Sequence, residues 1–192
     1  MPFERELEGR VAVITGAGRS IGRAMAIELA NAGCNVVVNV RSNRAEGEEV
    51  VKAVEKAGGR GMVGVADVID PKAVNAMVDA ALQKFGRIDY LVNNAALRQE
   101  KSIEHLTFED WRKVIGITLD GAFHCVKACL ESIKKSDAGS IITTRSIPSA
   151  ETTLQRPSAI SSQWSSDAST PRAFRFATYP RAARISATSA WM

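Results

Sequence analysis

The run Thr15-Gly16-Ala17-Gly18-Arg19-Ser20-Ile21-Gly22 carries the strongest chemical signal in this 192-residue sequence. A compact apolar stretch, 11–14, leads into it and an amphipathic stretch leaves it. Glycines in a strand-to-helix turn let the backbone approach an anion closely. The helix N-terminus then offers unpaired N–H groups and the positive end of its dipole. The spacing Gly-x-Gly-x-x-x-Gly is one residue longer than the general dinucleotide fingerprint. Its position after a strand and before a helix is the context in which such a turn cradles a pyrophosphate. By itself the turn also fits an ordinary corner that needs glycine for sharpness.

A second signal lies at the end of the next apolar run, Asn39-Val40-Arg41-Ser42-Asn43-Arg44, which has no acid before Glu46. In dinucleotide folds an acid here holds the ribose hydroxyls, whereas an arginine accommodates a 2′-phosphate. Arg41 and Ser42, with Arg19 in the glycine turn, therefore favour NADP(H) over NAD(H). A guanidinium grips a phosphate with two hydrogen bonds, where a carboxylate would repel it.

The elements that must position these groups follow from the hydrophobic pattern. β-branched runs predict strands at 11–14, 35–40, 61–65, 88–92 and 140–144. Amphipathic stretches predict helices at 21–32, 44–57, 71–85 and 107–135. Gly33 and the pair Gly58-Gly59 are stop signals, and Pro71 suits a helix start. Thr107 with Asp110 approximates a capping box, with Asp where Glu or Gln is usual. Apolar strands that alternate with long helices imply a parallel sheet covered on both faces. The fold class is thus α/β: a Rossmann-like doubly wound parallel sheet of five strands, truncated after strand five, with an irregular tail.

Together these motifs resemble the short-chain dehydrogenase/reductase family over residues 9–146. Thr15, Gly16 and Gly22 match its Thr-Gly-x-x-x-Gly-x-Gly signature, with Ile21 a common filler and Ser20 in place of the middle glycine. Serine there costs more than glycine if the turn requires positive φ. The resemblance implies that Asp67 and Val68 contact the adenine ring. It also implies that Asn93, Asn94 and Ala95 steady the sheet and line the cofactor site, with Ala96 replacing a usual glycine. Its implied activity is hydride transfer between a nicotinamide and a carbonyl or alcohol substrate.

At the catalytic end the family pattern is broken. The resemblance puts Ser146 at the substrate-orienting serine and Thr118 at a supporting asparagine. Threonine is too short to copy that asparagine's reach. The proton-transferring tyrosine falls near Ala159 and its lysine near Gln163, so the Tyr-x-x-x-Lys pair is missing. Tyr179 is out of register. A tyrosine needs such a lysine because its own pKa is ~10.

Composition narrows the remaining classes. The net charge is +4, with no basic block, which disfavours nucleic acid as a partner. Three cysteines without Cys-x-x-Cys spacing argue against a disulfide framework or a zinc site, and no metal is expected. Cys125 and Cys129 read as core or interface fillers. No apolar run is long enough to span a bilayer, so a cytoplasmic location is expected. Residues 1–146 read as the cofactor-binding domain. Residues 147–192, rich in Ser, Ala, Arg and Pro with neither glycine nor lysine, read as an irregular tail. The apolar face of 107–135 (Trp111, Val114, Ile115, Phe123, Val126, Leu130) suits a homo-oligomer contact. Three readings stand at this point: an NADP(H)-dependent oxidoreductase, a dinucleotide-binding module without catalysis, or a truncated family product whose tail is read in another frame.

Overall fold

Val11–Ile14 (β1) is four apolar residues, all buried, and such a run is stable only when sheet faces are covered on both sides. In the computed structural model, which describes residues 5–97 and 101–144, that is its setting. Asn35–Val40 (β2) and Gly61–Val65 (β3) lie to one side of β1; Tyr90–Asn93 (β4) and Ser140–Thr143 (β5) lie to the other. The order is β3-β2-β1-β4-β5 and every pairing is parallel. The chain therefore has the expected Rossmann-like five-stranded sheet. The expected tail, 147–192, lies outside the described residues.

The two faces of the sheet hold two separate cores. Ile14, Val36, Val38 and Val92 pack with Ala26 and Ala30 of Ser20–Asn31 (α1) and with Val50 and Val54 of Arg44–Lys56 (α2). Val13, Val37 and Leu91 pack with Val74 and Val78 of Pro71–Phe85 (α3) and with Cys125 and Cys129 of Gly121–Lys135 (α5). The period-2 alternation of each strand divides its side chains between these cores. Burial pushes the Cys125 thiol up to about 11 and the Cys129 thiol up to about 12. These thiols are core fillers with little thiolate character.

Helix ends follow their local chemistry. Asp70 caps α3 by accepting from the Lys72 N–H, with Pro71 at the first helical position, and Gly86 ends it in the left-handed conformation. Thr107 and Asp110 close a full capping box on Phe108–Ile115 (α4) despite the shorter acid. The stretch expected as one helix over 107–135 is divided: Gly116–Asp120 forms a π-helical turn between α4 and α5. Such a turn inserts a residue and shifts the phase of the helix that follows. Among the described residues no helix is long and apolar enough to cross a membrane.

At the amino ends of β1 and β4 the fully buried Asp89 accepts from Arg87, Ser136 and the Val11 N–H. Burial raises this carboxyl's pKa, but the hydrogen bonds from Arg87, Ser136 and Val11 outweigh it and hold the group below its ordinary value. Asp110, bonded to Lys101 and Thr107, is lowered to about 2. Both folded-state values lie below the unfolded ones, so their stabilisation is complete above about pH 4. It is lost as pH falls through the folded values. The Asp89→Ala variant should be less stable by about 2–3 kcal/mol. Urea denaturation at pH 7 and at pH 3 should show the variant's deficit shrinking at the acid end.

Candidate functional site

At the carboxyl ends of the strands three buried or half-buried polar side chains join four of them. The Thr15 hydroxyl, directly after β1, donates to the Val92 carbonyl at 3.4 Å. It accepts from the Asn94 and Ala95 N–H groups, both at 2.9 Å. One donor and two lone pairs are the full capacity of a hydroxyl. The Asn94 amide returns a bond to the Thr15 carbonyl at 2.9 Å and another to the Gly16 carbonyl at 3.2 Å. Asn39 in β2 accepts from the Gly16 N–H at 3.2 Å and donates to the Gly64 and Ala66 carbonyls at 3.1 and 2.9 Å. These bonds fix the glycine turn against β2, β3 and β4 at once.

The turn's own geometry explains its residues. Gly16 has φ +62°, and a Cβ there would stand 3.0 Å from the Ala95 Cα. At Gly22 a Cβ would meet the Asn94 amide and the Gly16 carbonyl oxygen at 2.6 Å, so a side chain would break the junction just described. Ser20 has φ +49°, the one non-glycine in the left-handed region among the described residues. The condition attached to this serine is met: the position does take positive φ, and serine bears the strain. Arg19 precedes α1 in extended conformation and gives it no side-chain cap. The first N–H groups of α1 are therefore left for an anion.

A cleft of about 530 Å³ opens over this turn. Of the residues selected from sequence, Gly16, Arg19, Ser20, Ile21, Gly22, Arg41, Ser42, Asp67, Val68 and Ala95 line it. Thr15 and Asn93 do not. Thr15 is 1% exposed and serves the strand junction behind the cleft. Asn93 is also buried, and its side-chain amide has no hydrogen-bond partner among the described residues. Thr118 lies in the π-helical turn beside Ile117, and it is Ile117 that reaches the cleft. Ser146 lies outside the described residues.

The arginines separate by environment. Arg44 pairs with Glu48 at 3.8 Å on the exposed face of α2. Among the described residues neither Arg19 nor Arg41 has an ion-paired partner. Asp67 holds its own loop, accepting from the Ile69 N–H at 3.2 Å. His124 of α5 supports the same loop by donating from Nδ1 to the Val68 carbonyl at 3.0 Å. Gly121 makes room for Val68, whose Cγ2 would lie 2.6 Å from a Cβ there. Sequence reasoning missed Asn39, Glu46 and Ile117 as residues of the cleft. Asn39 had a signal, a polar residue inside the buried apolar run of 36–40. Ile117 had none, because its direction depends on the π-helical turn. Among the described residues no three His, Cys, Asp or Glu side chains stand together as metal ligands.

A Rossmann-like sheet with its cleft at the carboxyl ends of the strands, where the strand order reverses between β1 and β4, is the architecture of dinucleotide-binding proteins. The family model for short chain dehydrogenases matches residues 10–162, and the chain belongs to that family. It is 42% identical over 153 residues to the short chain dehydrogenase/reductase astE of Aspergillus oryzae, covering 79% of this chain and 57% of that protein. It is 37% identical over 141 residues to a 3-oxoacyl-[acyl-carrier-protein] reductase of Synechocystis, covering 73% and 57%. A solved structure from Sinorhizobium meliloti 1021, described as a short-chain alcohol dehydrogenase, superposes with a TM-score of 0.67 at 32% identity, over 73% of this chain and 55% of that one. The chain thus spans little more than half the length of these relatives.

Relief of the Ser20 backbone is directly testable. The Ser20→Gly variant should gain about 1 kcal/mol of stability, since an L-residue in the left-handed region costs that much or more. A higher urea midpoint at unchanged slope is the expected result.

Proposed function

We propose that the cleft binds NADP(H) and that the chain is the cofactor-binding part of an oxidoreductase acting on a carbonyl or alcohol. The observation that carries this is the pair Arg19 and Arg41, two guanidiniums without ion-paired partners among the described residues, beside an uncapped helix N-terminus. The cradle fits the group: Gly16 and Gly22 leave the backbone open to a pyrophosphate, and Ser20 and Ile21 complete the turn. Arg19, Arg41 and Ser42 take the 2′-phosphate. Asp67 and Val68 flank the adenine, and Ala95 lines the inner wall. Thr15 and Asn93 act from behind, through the strand ends. The nicotinamide, when bound, supplies or accepts the hydride.

In this reading Ser146 orients the substrate oxygen and Thr118 stands at the supporting position, with residues 1–146 as the functional unit. A second reading, dinucleotide binding without turnover, is favoured by one specific observation: the sequence contains no Tyr-x-x-x-Lys. Both readings predict NADPH binding, and only the first predicts ketone reduction above background.

NADPH should raise the thermal midpoint of the whole chain, by the equivalent of about 2.7 kcal/mol at a hundredfold excess over Kd. The Arg41→Ala variant should lose most of that shift while its smaller response to NADH is kept. No shift with either nucleotide would sink the assignment.

We further propose that the exposed apolar side chains of 107–135, with Trp111 at 51% and Phe123 at 61% exposure, meet a second copy of the chain. Sedimentation equilibrium should then find a dimer that Phe123→Glu converts to monomer.

A further inference from the structure

We propose that Glu46 is a specificity-determining residue of the cleft: its carboxylate accepts from the hydroxyls of an unphosphorylated adenosine ribose and opposes the 2′-phosphate that Arg19 and Arg41 attract. This rests on the dinucleotide reading above. The end of β2 carries Arg41 and no acid, so the strand itself offers nothing to bind a ribose diol. The fold supplies a carboxylate from elsewhere. Glu46 occupies the third position of α2, behind the Asn43 cap that accepts its N–H at 3.3 Å. From there it lines the same cleft as Arg19, Arg41 and Gly18.

Two features place its charge in the cleft. A Cβ on Gly18 would lie 3.0 Å from the Glu46 carboxyl carbon, so the absent side chain leaves the acid its room beside the glycine turn. Its carboxylate also has no hydrogen-bond or ion-pair partner among the described residues. Its neighbours on α2 do have partners: Glu48 pairs with Arg44 and Glu49 with Lys52, both out on the surface. The other acid lining the cleft, Asp67, is already engaged with the Ile69 N–H. Asp67 spends one oxygen on its own loop, whereas both Glu46 oxygens are open to ligand hydroxyls among the described residues. A carboxylate accepts two hydroxyl protons well, and its charge repels a phosphate dianion at the same place. Two arginines and one opposing acid make the preference for NADP(H) over NAD(H) a balance of charges.

The test is titration of the full chain with NADP⁺ and with NAD⁺, for the natural protein and for Glu46→Gln. Glutamine keeps the size and removes the charge, and thermal unfolding checks that the variant is folded. The ratio of the two dissociation constants should move roughly tenfold towards NADP⁺, the scale of one lost charge repulsion. The shift should shrink as salt is raised. Glu48→Gln, on the exposed side of the same helix, should leave the ratio unchanged. Binding of both nucleotides to Glu46→Gln with the natural ratio would overturn the proposal and leave the dinucleotide reading intact. Failure of the natural protein to bind either nucleotide would overturn the dinucleotide reading, and the proposal with it.

Discussion

The Thr15 hydroxyl is the atom on which the rest of the site depends. A parallel sheet ends in a row of carbonyls and loop amides with no ladder to satisfy them, and a cleft at that end exposes the problem to solvent. Thr15 answers it at the centre of the sheet by using its whole bonding capacity on β4 and the loop that follows. Asn94 and Asn39 extend the same solution outwards, one to the glycine turn and the other to β2 and β3. The floor of the cleft is therefore rigid although it is built from loops. A rigid floor is what allows backbone N–H groups to act as an anion site, because they need not reorganise when the anion arrives.

The turn above that floor is deliberately unfinished. α2, α3 and α4 each begin with a side-chain cap, from Asn43, Asp70 and Thr107. α1 does not, and Arg19 stands where the cap would be. The orphan amides and the dipole at this end lower the energy of a bound anion at some cost to the helix alone. Ser20 adds backbone strain at the same spot. Strain and unsatisfied donors gathered at one turn are characteristic of sites that a ligand completes.

Opposite ends of the sheet divide the work. At the amino ends Asp89 is surrounded by donors from β1, from Arg87 and from Ser136 after α5, an arrangement that serves cohesion. At the carboxyl ends the charged groups Arg19, Arg41 and Glu46 line open space and serve recognition. Parallel strands make this division natural, since all their carboxyl ends, and the loops into the helices, fall on one side. α5 links the core it shares with α3 to the site through His124, whose bond to the Val68 carbonyl ties the core helix to the cleft wall.

Much of this was legible in the residues alone. Strand runs at 11–14, 35–40 and 61–65 and the helix at 71–85 have the bounds their periodicity implies, because burial on both faces leaves little freedom of register. The glycine turn and ten of the twelve selected cofactor residues are brought to one cleft, since a βαβ unit places its turn there by local chemistry. Three features were decided only by the tertiary structure. The π-helical turn at Gly116–Asp120 replaces an unbroken helix and turns Ile117 to the cleft in place of Thr118. Thr15 and Asn93 withdraw behind the site, because strand pleating directs them inwards. Glu46, silent in sequence as one acid among several on α2, becomes part of the cleft because Gly18 leaves space across a gap between elements. Local periodicity sets which residues share a face; which groups meet across a cleft depends on how separate elements pack, and that information is distributed over the whole chain.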